Sequence, residues 1–292
     1  MIVLTAPTGD IGSQVLTHLL ARNEPLRLIA RDPSKLSKDI RDRVEIVTGS
    51  HSDPAVVDKA FAGAEAVFWL VPGDPQAKDA EAAYVGFTRP VLAAFQRHKI
   101  KRIVNISALG RGWAKPAGHV TATLRMEDLL IETGVAYRGL SCPSLMENLL
   151  RQAAPIRSQG LFFWPAPGDL PVPTIATRDV AAFAADLLDN RQWGGAQDIP
   201  LLGPDDLSFN AMAAIMSEVL GRTIRFQEIA MEDFKAMMLS RGHTEGMAQA
   251  MVDMLTAKND GMDHMIARDD AVTCPTDFRT WCRDVLKPAV LG

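Results

Sequence analysis

The chain has 292 residues, of which 47% are hydrophobic and 23% charged, with a formal net charge of −4 at pH 7. That is a globular composition, and a net negative charge removes the long-range pull toward phosphate backbones on which direct nucleic-acid binding relies. No uninterrupted apolar run exceeds six residues, against about 20 for a membrane-spanning helix, and the opening MIVLTAPTGD has neither a basic stretch nor a cleavage site, so a cytoplasmic protein without membrane association is expected.

In chain order, residues 1–5 are an apolar, β-prone run. A Pro-Gly turn (Pro7, Gly9) follows, then a helical pattern with Ile11, Val15, Leu16, Leu19 and Leu20 on one face. Strands are predicted at 26–30, 44–48, 66–71 and 102–107, with helices at 54–61 and 76–98, the latter kinked by Pro90. The strands are apolar on both faces, as parallel strands covered by helices are. The first half therefore reads as a doubly wound α/β sheet. Beyond a glycine-rich loop (Gly110, Gly112, Gly118) come a helix at 120–133 and a strand at 137–141. Residues 155–173, rich in Pro, Gly and aromatics, read as an irregular crossing. Helices are predicted at 179–189, 209–220, 231–241, 245–257 and 276–285. The division expected is a nucleotide-binding domain over 1–150 and a smaller, mainly helical lobe over 151–292, with segments of the latter returning to the sheet. Ten of the 13 methionines fall between Met212 and Met265, and Met247, Met251 and Met254 recur at helical spacing. Burial in a core is the first reading of that stripe, and an adaptable thioether wall for an apolar substrate the second.

The turn Thr5-Ala6-Pro7-Thr8-Gly9-Asp10-Ile11-Gly12 joins the first strand to the first helix. Unpaired N–H groups at such a helix start favour a pyrophosphate, and glycines allow its close approach. Gly9 and Gly12 fit the second and third glycines of the dinucleotide pattern. Ala6 stands at the first, where an alanine is neutral only at negative φ. After the second strand, Arg31 and Lys35 suit the 2′-phosphate of NADP, while Asp32 keeps NAD open.

These features, with Leu140–Asn148 similar to an "LRPxxFMEN" segment, 175–181 similar to "IATRDVA" and Leu202-Gly203-Pro204 followed by 217–222, resemble the NmrA-like branch of the atypical short-chain dehydrogenases. That group includes quinone, azo-dye and triphenylmethane-dye reductases. The resemblance implies a Rossmann domain and a C-terminal lobe forming the substrate cleft. It implies that Thr8, Gly9, Asp10, Ile11 and Gly12 hold the pyrophosphate, and Arg31 and Lys35 the 2′-phosphate. Ser50 and His51 would flank the adenine, Leu70, Val71 and Pro72 the ribose, and Pro143, Ser144 and Leu145 the nicotinamide.

The Tyr-xxx-Lys dyad of short-chain dehydrogenases is absent, because Thr88 follows Tyr84 and Ser141 follows Tyr137 at the fourth place. Ser107 lacks the preceding glycine that a nucleophile elbow requires, and the histidines have no metal-ligand spacing. His119 is the candidate proton donor, with a stabilised helix-start histidine as the plainer reading. Glu127 reads as a helix-face charge and Arg178-Asp179 as a helix-start pair. Cys142, Cys274 and Cys282 form no CxxC pair and are expected as reduced, inert thiols. The expectation is an NADPH-dependent reductase of a quinone-like or other conjugated apolar acceptor, with Phe162, Phe163, Trp164 and methionines forming the pocket. The alternative is a non-catalytic NAD(P)-sensing regulator acting through a protein partner. A small apolar or aromatic substrate is expected, and a homodimer stays open.

Overall fold

The computed structural model describes residues 1–292. Its elements begin with β1 (Ile2–Thr5), α1 (Asp10–Ala21), β2 (Leu26–Ala30), α2 (Lys38–Arg41), β3 (Glu45–Thr48), α3 (Pro54–Phe61), β4 (Ala66–Trp69), α4 (Leu92–Arg97), β5 (Arg102–Ala108), α5 (His119–Glu132) and β6 (Ala136–Cys142). Next come β7 (Ser144–Leu145), α6 (Ala153–Gln159), β8 (Leu161–Trp164), β9 (Pro171–Ile175), α7 (Thr177–Asp189) and β10 (Ala196–Leu202). The last are β11 (Asp206–Ser208), α8 (Phe209–Leu220), β12 (Arg225–Glu228), α9 (Met231–Ser240), α10 (Glu245–Asn259), β13 (Val272–Thr273), α11 (Phe278–Trp281) and α12 (Lys287–Leu291). No helix is long and apolar enough to cross a membrane.

Two compact units are formed, one from residues 1–108, 122–141 and 180–199, the other from 109–121, 142–179 and 200–292. The chain passes from one unit to the other after residues 108, 121, 141, 179 and 199.

The first unit is a doubly wound sheet in the order β3-β2-β1-β4-β5-β6-β10, with β1 parallel to both β2 and β4. The strand order reverses beside β1, which puts a ligand crevice at the carboxyl ends of β1 and β4. All four residues of β1 and of β4 are buried, because helices cover both faces. Phe61, Trp69 and Phe95 fill this core, with Phe95 edge-to-face on Phe61 at 4.9 Å and on Trp69 at 5.6 Å. Each such pair is worth about 0.5–1.5 kcal/mol beyond burial. The helix expected over 76–98 is broken more thoroughly than one kink. A π-helical turn (Ala82–Gly86) and a 3-10 turn (Arg89–Val91) precede α4, since Pro90 has no N–H to continue an α-helical ladder.

The second unit carries the sheet β11-β9-β7, the ribbon β12-β8 and a short pairing of Leu201 and Leu202 with Val272 and Thr273. The irregular crossing expected over 155–173 is instead α6, β8 and the start of β9. Leu161–Trp164 becomes a strand by pairing with Arg225–Glu228, a partner that no local pattern reveals. Pro171 and Pro173 are tolerated because β9 meets β7 only through Thr174 and Ile175, leaving both prolines one free edge. Phe162, Met212, Met216 and Trp281 are central in this unit's core. Trp281 is fully buried and donates its indole N–H to Glu147 Oε1 at 3.0 Å, while Oε2 accepts the Thr177 N–H at 3.0 Å.

Candidate functional site

The first unit's crevice starts at Thr5. Its buried hydroxyl donates to the Phe68 carbonyl and accepts the Leu70 N–H, both at 2.9 Å, tying the ends of β1 and β4 together. The chain then turns through Ala6, and the Gly9 N–H donates to the Ala6 carbonyl at 3.1 Å. Gly9 is the N-cap of α1 and no side chain caps that end, so the first-turn N–H groups at Asp10, Ile11 and Gly12 are left for a ligand. A Cβ on Gly12 would stand 2.1 Å from the Ala6 oxygen; α1 lies this close to the turn only because residue 12 is glycine. Ala6 does not keep the negative φ at which alanine is neutral. It sits at φ +49°, a left-handed conformation costing roughly 1–2 kcal/mol for an L-residue.

Ala6, Pro7, Thr8 and Gly9 line a crevice of about 580 Å³ together with Arg31, Lys35, His51 and Pro72, a volume within the usual range of cofactor clefts. Asp32 is committed to its own turn. Its Oδ1 accepts the Ser34 hydroxyl (2.6 Å) and N–H (3.0 Å), and these bonds hold its carboxyl below the ordinary aspartate value. The exposed Arg31 and Lys35 side chains, by contrast, make no hydrogen bond or ion pair, so both are available to a phosphate. His51 is buried, edge-on to Trp69 (5.0 Å) and Phe87 (4.7 Å). Burial pushes its pKa down to about 4, so the ring is neutral at pH 7. Its Nε2 lies 3.1 Å from the Leu70 carbonyl; a carbonyl only accepts, so the proton is on Nε2 and Nδ1 has the lone pair.

The structure thus gathers Thr8, Gly9, Arg31, Lys35, His51 and Pro72 around one crevice, with Asp10, Ile11 and Gly12 at the helix start beside it. Ser50 bonds the Ser52 hydroxyl at 2.8 Å. Leu70 acts through its backbone, and the Val71 side chain is in the core. Pro143, Ser144 and Leu145 belong to the second unit, the latter two as β7.

In that unit, Phe163, Trp164, Phe234, Met237, Met251 and Met254 wall a cavity of about 330 Å³. Gln152 holds the aromatic strand in place, donating to the Phe163 carbonyl and accepting its N–H, each at 3.0 Å. Phe162 is not in this pocket. Phe162 is instead fully buried against Phe226 at 5.2 Å. The methionine stripe divides as well: Met247 is 2% exposed, whereas Met251 and Met254 line the cavity. A smaller adjoining cavity shares Ser144, Asn148, Trp164 and Leu255 and contains the ion pair Lys258–Asp263 at 2.5 Å. Sequence reasoning missed this pair; the five-residue spacing across the end of α10 was its one local signal.

His119 lines neither cavity. Its ring bonds the Met247 backbone, and burial holds its pKa below the ordinary histidine value. Glu127 is not a helix-face charge. It is fully buried on the inner side of α5 and accepts the Ser107 hydroxyl at 2.7 Å. Tyr137 lies beside it, taking a 2.8 Å bond from Asn105, and burial raises the pKa of both Tyr137 and Tyr84. Arg178 and Asp179 do more than start α7. Asp179 accepts the Thr276 N–H (2.9 Å) and hydroxyl (2.7 Å), and Arg178 reaches Asp284 at 3.1 Å, so the pair fastens the C-terminal segment. Cys274 and Cys282 are buried, which pushes their thiols up to about 11 and about 12.

Comparison with known proteins agrees with this geometry. Residues 7–191 match the model of a family described as NAD(P)H-binding. The chain is 30% identical over 243 residues to a (4-alkanoyl-5-oxo-2,5-dihydrofuran-3-yl)methyl phosphate reductase of Streptomyces griseus, covering 82% of this chain and 81% of the relative. It is 28% identical over 254 residues to an NAD(P)H azoreductase of Xenophilus azovorans, covering 87% and 86%. The crystal structure of the Citrobacter sp. triphenylmethane reductase complexed with NADP(H) superposes with a TM-score of 0.78 at 21% identity, covering 99% of this chain and 100% of that one. The fold and the crevice define an NAD(P)H-binding oxidoreductase. The chain belongs to the NAD(P)H-binding family, within the NmrA-like atypical short-chain dehydrogenases.

Proposed function

We propose that the protein is an NADPH-dependent reductase that passes hydride to a quinone-like or other conjugated, apolar acceptor. The observation that carries this reading is the second unit's cavity, walled by two half-buried aromatic side chains and a set of thioethers in a chain that binds NAD(P)H. Flat conjugated molecules gain contact area and favourable ring and sulfur contacts on such a wall. The reductases of an azo compound and of a triphenylmethane dye among its relatives and structural neighbours support the same acceptor class.

The first-turn N–H groups of α1 and the Thr8–Gly9 backbone would hold the pyrophosphate, while Arg31 and Lys35 would take a 2′-phosphate through charge-assisted bonds. When bound, the nicotinamide supplies the hydride. The chain's part is to hold the acceptor in a fixed pose and keep water from it, an effect worth several kcal/mol of barrier. A conjugated, electron-poor acceptor takes hydride with less help from a proton donor than a ketone does. That suits a site in which Tyr137 is fully buried and Tyr84 partly buried in the first unit.

The test is steady-state oxidation of NADPH and of NADH with a panel of quinones and azo dyes, run beside a nucleotide-binding titration. Turnover with one acceptor class, faster with NADPH, is expected. Tight NADPH binding with no turnover on any acceptor would overturn the reductase and favour a nucleotide-sensing regulator.

A further inference from the structure

The cavity of Phe163 and Trp164 is apolar over most of its wall, yet Arg151 and Arg241 stand in its lining with no aspartate or glutamate beside them there. The chain as a whole has 35 acidic residues to 31 lysines and arginines, so a lining with two cations and no acid runs against its overall balance. Several other arginines of the unit are occupied, although the exposed Arg225 is not. Arg157 holds the Val290 carbonyl at 2.6 Å and Arg222 the Arg157 carbonyl at 2.7 Å, while Arg178, Arg268 and Arg279 pair with Asp284, Asp206 and Glu218. The side chains of Arg151 and Arg241 make neither a hydrogen bond nor an ion pair.

Both are mounted on elements that build the cavity. Arg151 immediately precedes Gln152, whose amide clamps Phe163. Arg241 directly follows α9, its N–H bonded to the carbonyls of Met237 (3.2 Å) and Met238 (3.1 Å). The adjacent His243 donates Nδ1–H to the Met238 carbonyl at 3.1 Å, and its second ring nitrogen stays uncommitted. The Asn148 carboxamide, also in the lining, has no protein partner. Arg151 and Arg241 are both exposed; guanidinium groups form their strongest bonds with carboxylate, sulfonate or phosphate oxygens, and two of them beside an apolar wall favour a ligand that brings its own negative charge.

We propose, resting on the reductase reading above, that the substrate of this cavity is an amphipathic anion: a planar conjugated body with an acidic oxyanion group. The body lies on Trp164, Phe163 and the methionines, and Arg151 and Arg241 take the anionic group. An acceptor of the same shape with a fixed positive charge is disfavoured.

The experiment has a binding arm and a turnover arm. Naphthalene-2-sulfonate, uncharged 2-naphthol and a naphthyl-trimethylammonium ion are titrated calorimetrically into the nucleotide-free protein. The sulfonate is expected to bind at least about tenfold more tightly than 2-naphthol, and the cation more weakly than either. Arg151→Gln and Arg241→Gln combined should abolish the preference for sulfonate over naphthol, whereas Arg31→Ala, in the nucleotide crevice, should leave that preference in place. Equal binding of the three probes, or a preference that survives the double substitution, overturns the anion site. In the turnover arm, 1,2-naphthoquinone-4-sulfonate is expected to show a KM about tenfold below that of 1,2-naphthoquinone with NADPH. Anion-selective binding with no turnover of either quinone overturns the reductase reading alone. Turnover of both at the same KM overturns the anion site alone.

Discussion

Ala6→Gly offers a measurement of what the nucleotide-binding turn costs this chain. At φ +49° the Ala6 Cβ crowds its own carbonyl, a strain of roughly 1–2 kcal/mol. Glycine removes that strain but frees the unfolded chain, which returns about 0.4–1 kcal/mol of the gain. The net expectation is a stabilisation of about 0.5–1 kcal/mol. For a unit of this size that corresponds to a rise of about 1–3 °C in Tm, read by differential scanning calorimetry without nucleotide. Lys99→Gly is the control. Lys99 sits at φ +55° just after α4, away from the crevice, and should raise Tm by a similar amount with no change in NADPH affinity. Ala6→Gly should bind NADPH at least as tightly as the parent, since it removes an atom from the turn and leaves the Gly9–Ala6 bond in place. A lower Tm for Ala6→Gly, or no change, would refute the claim that the turn is strained.

Arg31→Ala should weaken NADPH binding by about 10–100-fold, the worth of a charge-assisted phosphate contact, and NADH binding far less; equal losses in a fluorescence titration would remove the 2′-phosphate assignment. His51 predicts an acid-side loss of stability. Its folded pKa of about 4 lies below the ordinary 6.5, so the unfolded chain takes up a proton first as pH falls. The stability gained by burying the neutral ring is complete above pH 6.5 and lost progressively toward pH 4, about 3 kcal/mol in all. Urea unfolding across that window should show the slope, and His51→Asn should flatten it. Glu147→Ala leaves the Trp281 indole and the Thr177 N–H without their acceptor and should cost about 2–4 kcal/mol; a loss below about 1 kcal/mol would mean that water replaces the carboxylate.

Much of the first unit was legible because β1, β2 and β4 are short, largely apolar runs bounded by turn residues, whereas β10, with Gln197 and Asp198 inside it, was not read as a strand. Residues 26–30 and 54–61 fold as read, and so does 209–220 in the second unit. What stayed hidden depends on partners distant in sequence. Leu161–Trp164 needs Arg225–Glu228, and Pro171–Ile175 needs Asp206–Ser208; nothing within either segment specifies the other. The crevice was readable since Gly9, Gly12 and Arg31 sit at fixed distances from a strand end. The left-handed Ala6 was not, because φ at one residue is set by how closely α1 approaches it. Glu127 was misread because one acidic residue on an amphipathic helix says nothing of the Ser107 and Tyr137 that meet it from β5 and β6. The cavity was half visible: the aromatic run and the methionines were apparent, but which of them face it depends on packing against distant partners, as Phe162 against Phe226 shows.

The interleaving of the two units bears on how the chain is made. β6 and β10 are neighbours in one sheet, yet residues 142–179, which belong to the other unit, are synthesised between them. A ribosome therefore releases β6 as a bare sheet edge and leaves it so until β10 has emerged. The first unit cannot complete itself before a sizeable part of the second exists. Translation pausing or premature termination within that interval would expose β6 to pairing with another nascent chain, so the aggregation hazard of this protein lies in its synthesis more than in its finished fold.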